Sequence, residues 1–380
     1  MNNYSNNNGL RIWVISNMYP SDFNPRYGVF VKNFVLSLEK LGIKFPLKTY
    51  IYGQKSNRFL TKVKAYFTFF LKILTGLALK KDTYNIIYIH FPLHVAFLFL
   101  FSKKKIVLNF HGSELKQSNR YTKILFFFLK KLCKKKNVRI VVPSPFYKQK
   151  LNSILSINDN KFIIYPSGGI GLNVFKPLIK NEINRIKVLN SISVEKKIIG
   201  FISSLIENKD PFTFVKSIEE LVSKKSLQNF ECIIVGDGKL KNDLIEYMYS
   251  RNLTKYFKFY PVQNQTELNK FFNSIDLFVF PSREESLGLV GLEAMAVGKI
   301  VISAKNGGAE TYINNRKNGY LFQPNDYEEL ANLICNYYEL TENEKHLLSE
   351  NAMKKAQEYE SERVNLNLIK EMKGWILKDS

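Results

Sequence analysis

Residues 276–298 read Asp276-LFVFPSREESLGLVGLEAMAV-Gly298. The run Leu277–Phe280 is apolar and rich in β-favouring residues, and Pro281 closes it, so it reads as a buried strand that ends in a loop. Arg283, Glu284, Glu285 and Ser286 fill that loop, and an apolar helical run starts near Leu289. Strand, short loop and helix in succession form the repeating unit of an α/β layer with a mostly parallel sheet.

The same alternation extends from end to end. Upstream, strands are expected at Leu10–Ser16, Ile86–Ile89, Lys105–Asn109, Arg139–Val142 and Phe162–Tyr165, with a Pro/Gly/Asn loop at Tyr19–Gly28 and a helix over about Val29–Leu41. Pro166–Pro177, rich in Gly, Ser, Pro and Asn, and the polar stretch Lys180–Lys197 read as a linker. A second series follows at Ile198–Ile202, Glu231–Val235, Lys258–Tyr260, Leu277–Phe280 and Ile300–Ser303. Helices over Tyr327–Tyr337 and Glu344–Glu358 close it, and a last helix over about Ser361–Ile376 comes after both sheets are complete. The chain has 380 residues, enough for two cores, which places the domains at 1–180 and 181–360. Two consecutive α/β domains usually meet at a cleft, with the ligand at the carboxyl ends of the strands.

A hydrophobic content of 45% with 14% aromatics excludes a disordered chain. Cys133, Cys232 and Cys335 are far apart and odd in number, which fits reduced thiols in the cytosol better than a disulfide framework. Met1–Gly9 is asparagine-rich and lacks the pattern of a signal peptide. No stretch reaches the roughly 18 to 20 uncharged apolar residues that span a bilayer. Phe91–Phe101 is too short and Lys72 interrupts Ala65–Leu79. The expected location is therefore cytoplasmic, in solution or on the inner face of the cell membrane. A net charge of +23 would attract anionic lipid, phosphorylated substrates or nucleic acid. A coding bias towards Lys, Asn, Ile, Tyr and Phe accounts for it equally well. No stacking ribbon or basic recognition helix is evident, so nucleic acid is not expected as a partner.

Glu285 precedes the helix of the opening stretch and Glu293 lies one turn inside it. Between them Gly288 lets the backbone pass close to a ligand. The free N–H groups of Leu289 and Val290 at the helix start suit a diphosphate. Glu293 can accept two hydrogen bonds from a vicinal diol such as ribose, and Glu285 would face sugar hydroxyls beyond the phosphates. The alternative makes Glu284 and Glu285 helix-start charges and Glu293 a solvated surface residue. Nearly all neighbours of Glu293 in sequence are apolar, however, and a carboxylate there requires a partner.

The pattern E-S-x-G-L-V-x-x-E-A-M-A-x-G, with Leu287 where phenylalanine is commoner, resembles the signature of the retaining GT-B glycosyltransferases of family 4, also called group 1. The resemblance covers most of the chain and is stronger in its second half. It implies two Rossmann-like α/β/α domains facing a central cleft, with the helix at about 361–380 packed back on the first. Gly200-FISSLIEN-Lys209 is similar to the stretch in which an arginine and a lysine clamp the donor diphosphate. Lys209 is retained, and Ser204 stands at the arginine position, which removes a bidentate, permanently charged donor. Gly236-Asp-Gly238 resembles the turn beside the donor base, and Val262 falls where backbone commonly meets that base. Gly307-Gly-Ala-Glu310 resembles a glycine-rich loop at a helix start, where Glu310 is as readily a helix-start charge as a ligand contact. Pro25-Arg-Tyr-Gly-Val-Phe30, with Gly28, resembles the loop that admits donor and acceptor. His111-Gly-Ser-Glu114 resembles the segment whose histidine contacts the donor sugar or phosphate, and Pro166-Ser-Gly-Gly-Ile170 resembles the turn that ends the first domain.

The resemblance thus implies a retaining transfer from a nucleotide-sugar to a polysaccharide or lipid-linked glycan, with Glu285, His111 and Lys209 as catalytic residues. No metal or other cofactor is expected: no Asp-x-Asp pair occurs, and the four histidines lack metal-ligand spacing. The loss of the arginine at Ser204 leaves a second reading open, a nucleotide-sugar-binding partner subunit with little or no turnover. Phe59–Lys81 places Val63, Tyr66, Phe67, Phe70, Leu71, Leu74, Leu77 and Ala78 on one helical stripe, with Lys62, Lys64 and Lys72 off it. Asn119–Lys136 repeats this with Tyr121, Leu125, Phe128 and Leu132. Such stripes either pack on the sheet with lysine stems along the edge or rest on an anionic membrane.

Overall fold

The computed structural model describes residues 9–378 except Arg26, 56–58, Ser113, 115–119 and Lys225. The asparagine-rich start, Arg26 and Ser113 of the two loop motifs, Asn119 and the end of the chain at 379–380 lie outside the described residues. The chain divides into two compact units, Met1–Gly169 with Glu362–Ser380, and Ile170–Ser361.

The first unit is built on a six-stranded parallel sheet. Its strands are β1 (Arg11–Tyr19), β2 (Lys44–Tyr52), β3 (Ile86–His90), β4 (Lys105–Asn109), β5 (Val138–Val142) and β6 (Phe162–Ile164), in the order β2-β1-β3-β4-β5-β6. Alternate side chains of each strand serve opposite faces. Trp13, Ile15, Ile87, Ile89 and Leu108 meet the helices Phe59–Leu79 and Arg120–Lys134 on one face. Ile12, Val14, Tyr88 and Val107 meet Val29–Lys40 and the last helix, Ser361–Lys378, on the other. Val364, Leu368, Ile369, Met372 and Trp375 anchor that last helix, and each buried side chain of this size contributes roughly 1.5–3 kcal/mol. Lys105 Nζ donates to the Trp375 carbonyl at 2.8 Å, and the Arg139 guanidinium lies 4.7 Å from the Trp375 ring.

Strand β2 escaped the sequence reading because Pro46 interrupts its pattern. As an edge strand it tolerates proline, and its register against β1 shifts between the pairs Arg11–Lys44 and Trp13–Leu47, on either side of Pro46. The stripe expected on Phe59–Leu79 is rotated relative to the packing. Phe69, Ile73 and Gly76 are the buried positions, with Tyr66, Phe70 and Leu77 half-buried beside them, while Val63, Phe67, Leu71 and Leu74 face outward. An apolar run nearly all round the helix gave no single face, and the sheet's shape selected one. On Arg120–Lys134 the core takes Leu125, Phe126, Leu129, Leu132 and Cys133, and leaves Tyr121 exposed.

The second unit has the strands β7 (Lys197–Ile202), β8 (Phe230–Val235), β9 (Phe257–Tyr260), β10 (Leu277–Phe280), β11 (Ile300–Ala304) and β12 (Tyr320–Phe322), in the order β12-β11-β10-β7-β8-β9 and all parallel. This is the doubly wound nucleotide-binding order, and its direction reverses between β7 and β10. The edge strand β12 is too short to stand out in sequence. The units divide at Gly169–Ile170, not at residue 180, because Ile170 and Phe175 belong to the second core. The Ile170 N–H also donates to the Tyr359 carbonyl at 2.9 Å. Lys180–Lys197 is not a linker: Lys180–Leu189 is a helix and Lys197 opens β7.

Candidate functional site

A doubly wound sheet binds its ligand where the strand order reverses, beyond the carboxyl ends of the two central strands. Here those ends carry the loops 203–210 and 281–288, and the main chain ties the two together. The Arg283 N–H donates to the Asn208 carbonyl at 2.9 Å, and Asn208 Nδ2 donates to the Glu284 carbonyl at 2.9 Å. Arg283 Nε pairs at 3.2 Å with the buried Asp210, which also accepts from the Thr213 hydroxyl at 2.8 Å and caps the helix Pro211–Ser223. This frame brings Lys209 Nζ into an ion pair with Glu285 Oε1. The Glu285 side chain is only 12% exposed, and its N–H donates to the Asn306 carbonyl at 3.0 Å. Two residues that lie 76 positions apart in sequence, both candidates for chemistry, therefore touch.

Gly288 caps the helix Leu289–Ala296 at φ 86°, a left-handed conformation that a side chain would strain. Among the described residues no side chain caps this helix start, so the first N–H groups, those of Leu289 and Val290 among them, carry the positive end of the helix dipole without a side-chain acceptor. The buried Tyr312 fixes this start, because its hydroxyl donates to the Gly288 carbonyl at 2.9 Å. Removing that hydroxyl in Tyr312→Phe is expected to lower stability by about 1 kcal/mol in thermal melts and to weaken donor binding several-fold. Glu293 is half-buried, and desolvation pushes its carboxyl up to about 7. Among the described residues no hydrogen-bond or ion-pair partner reaches that carboxyl. Its sequence neighbours Leu292, Ala294 and Met295 are all buried, and Glu293 itself is only partly exposed, which disfavours a fully solvated surface carboxylate.

Gly236 follows β8 and presses on the first loop. A Cβ there would lie 1.9 Å from the Ser203 carbonyl oxygen, and the Gly236 N–H donates to the Tyr260 carbonyl at 3.0 Å. Gly236→Ala is expected to cost about 2–4 kcal/mol and to show as a lowered melting temperature or loss of soluble protein. Ser204, exposed, and Val262, 42% exposed, follow β7 and β9, the strands on either side of β8, which Gly236 follows. Glu310 accepts the Gly307 N–H at 2.7 Å and closes its own loop, which favours the helix-start reading of that carboxylate.

In the first unit, His90 and His111 stand at the ends of the paired strands β3 and β4. His90 Nδ1 lies 3.0 Å from His111 Nε2 and 3.2 Å from Asn109 Nδ2. Phe91 stacks on the His111 ring at 4.6 Å and Phe30 lies at the same distance. Desolvation pushes the His111 imidazole down to about 3 and lowers His90 as well, so both rings are neutral. Glu114 accepts the N–H groups of His111 at 2.9 Å and Gly112 at 2.8 Å, which holds the turn. Gly28 caps Val29–Lys40 at φ 70°, and a Cβ there would lie 2.6 Å from the Met18 main chain. The Met18 contact by itself accounts for the glycine.

Sequence reasoning did not find Tyr312, Asn208, Asp210 or Asn306, which position the site without carrying a recognisable motif. The one available signal was a bulky tyrosine immediately beyond the glycine-rich loop.

Residues 182–355 match the family model described as glycosyl transferases group 1. A curated relative, the UDP-Gal:alpha-D-GlcNAc-diphosphoundecaprenol alpha-1,3-galactosyltransferase of Escherichia coli, is 23% identical over 261 residues, 67% of this chain and 67% of that protein. Further curated relatives are matched over 30% to 62% of their own length. Among solved structures, the sucrose-phosphate synthase of Thermosynechococcus elongatus superposes with a TM-score of 0.75 at 16% identity, over 98% of this chain and 100% of that one. Anabaena HepE in complex with UDP gives 0.74 at 17% identity, over 96% and 100%. The fold is that of GT-B glycosyltransferases, with two Rossmann-like α/β/α domains. The matched domain and the curated relatives support a glycosyl-transfer enzyme.

Proposed function

We propose that the chain is a retaining, metal-independent glycosyltransferase of family 4 that moves a sugar from a nucleotide-sugar to a polysaccharide or lipid-linked glycan. The observation that carries this reading is the contact between Lys209 and Glu285 beside an uncapped helix start at the sheet's reversal point. The diphosphate would lie over the N–H groups of Leu289 and Val290, with Lys209 turning from Glu285 to a phosphate oxygen. Glu293 would take the ribose diol, and Gly236 and Val262 would border the base. Glu285 would hold the sugar and the charge that develops at its anomeric carbon. A donor phosphate oxygen would take the acceptor proton, so the protein's share is positioning and charge stabilisation. His111, neutral and oriented by His90, is proposed as a hydrogen-bonding group for the donor. Binding of UDP by Anabaena HepE and the diphosphoundecaprenol-linked acceptor of the Escherichia coli relative support the donor and acceptor classes. An acceptor of that kind accords with a place on the inner face of the cell membrane.

A screen of UDP-, GDP- and other nucleotide-sugars by thermal shift should single out one nucleotide, which would then be used for transfer. The anomeric configuration of the product, read by NMR, tests retention, and inversion would overturn it. Full activity in the presence of a chelator is the expected outcome for metal independence. Ser204, in place of the arginine, favours a second reading, a binding subunit without turnover. Donor stabilisation with neither transfer nor donor hydrolysis would select that one.

A further inference from the structure

Most of the first unit's exposed apolar surface lies on one layer. Leu60, Val63, Phe67, Leu71 and Leu74 recur at intervals of three and four along the outward face of the helix Phe59–Leu79. Phe67 is 69% exposed, and Leu71 and Leu74 are each 51% exposed. The neighbouring helix, Arg120–Lys134, adds exposed Tyr121, Ile124 and Phe127. Both helices cover the same sheet face, and Phe97 bridges them, 5.8 Å from Phe70 and 6.4 Å from Phe128. Neither helix contains an aspartate or glutamate. Exposed Lys62, Lys64 and Lys72 flank the first seam, and Lys123, Lys131 and Lys134 flank the second. Lys64 and Lys72 also line an open concavity of about 240 Å³ with Tyr52 and Gln54.

We infer that this helical layer docks on an anionic lipid bilayer, with Phe67, Leu71 and Leu74 entering the acyl boundary and the lysines in the headgroups. An apolar seam whose only charged neighbours on these two helices are cationic complements a lipid surface. It does not complement itself: a second copy would press lysine on lysine with no carboxylate to pair. Among the described residues no helix is long and apolar enough to cross a membrane. The inference rests on the proposed function only for its purpose, since a lipid-linked acceptor is presented at such a surface.

Flotation with phosphatidylcholine–phosphatidylglycerol vesicles, against phosphatidylcholine alone and without donor or acceptor, tests the docking. Wild type should float with the anionic vesicles only, and less so as salt rises. Phe67→Ser/Leu71→Ser/Leu74→Ser, all at exposed positions, should reduce vesicle partitioning by roughly tenfold or more. Lys62→Glu/Lys64→Glu/Lys72→Glu should abolish it. Circular dichroism checks that both variants are folded. A wild type that stays at the bottom of the gradient, or a serine variant that floats as wild type does, overturns the inference. So does a dimer in solution that the serine substitutions dissociate. A protein that floats and transfers nothing keeps this inference and sinks only the catalytic one.

Discussion

Glu285→Ala is expected to lower transfer by about 10²–10³-fold while leaving the donor's dissociation constant unchanged or smaller. The expectation follows from the ion pair with Lys209, which is largely shielded from water. In the free protein the pair neutralises both groups, and a diphosphate has to compete with the Glu285 carboxylate for the lysine. Alanine at 285 releases Lys209 for the phosphates, so ground-state binding keeps its strongest cation. Charge developing at the anomeric carbon, however, loses its nearest carboxylate. Single-turnover rates with titration calorimetry separate the two effects. A variant with a weakened donor constant and an unchanged rate would show that Glu285 only binds.

Glu293→Gln should behave in the opposite way, losing about 10–100-fold in donor affinity with the saturated rate within a few-fold of wild type. Desolvation holds the Glu293 carboxyl up at about 7 in a site with no partner among the described residues. The charged form is therefore disfavoured until diol hydroxyls donate to it. Donor affinity should rise between pH 6 and pH 8, and binding near pH 7 should release protons, visible as a buffer-dependent enthalpy. The linkage to folding has the opposite sign. A carboxyl whose folded value lies above its ordinary 4.5 binds more protons folded than unfolded between 4.5 and about 7. Stability therefore falls across that window and levels off above it. Glu293→Gln should melt above wild type at pH 8, and that advantage should disappear at pH 4.5 and below. An affinity that does not change with pH would remove the carboxylate–diol contact from the mechanism.

Both predictions depend on residues that were legible as a linear motif. Glu285, Gly288, Leu289, Val290 and Glu293 occupy one strand–loop–helix unit, so local spacing alone grouped them around the helix start. The alternation of apolar strands and helices specified the α/β class for the same reason, since period and turn chemistry are local properties. Tertiary structure decided what no local pattern carries. It alone brought Lys209 to Glu285, because that contact depends on β7 and β10 being neighbours despite β8 and β9 between them in sequence. It put Tyr312 beneath the Gly288 carbonyl, and it made Gly236 a requirement of the Ser203 main chain. It also chose which side of Phe59–Leu79 is core, since a helix apolar nearly all round has no preferred face until a sheet presents a surface to match.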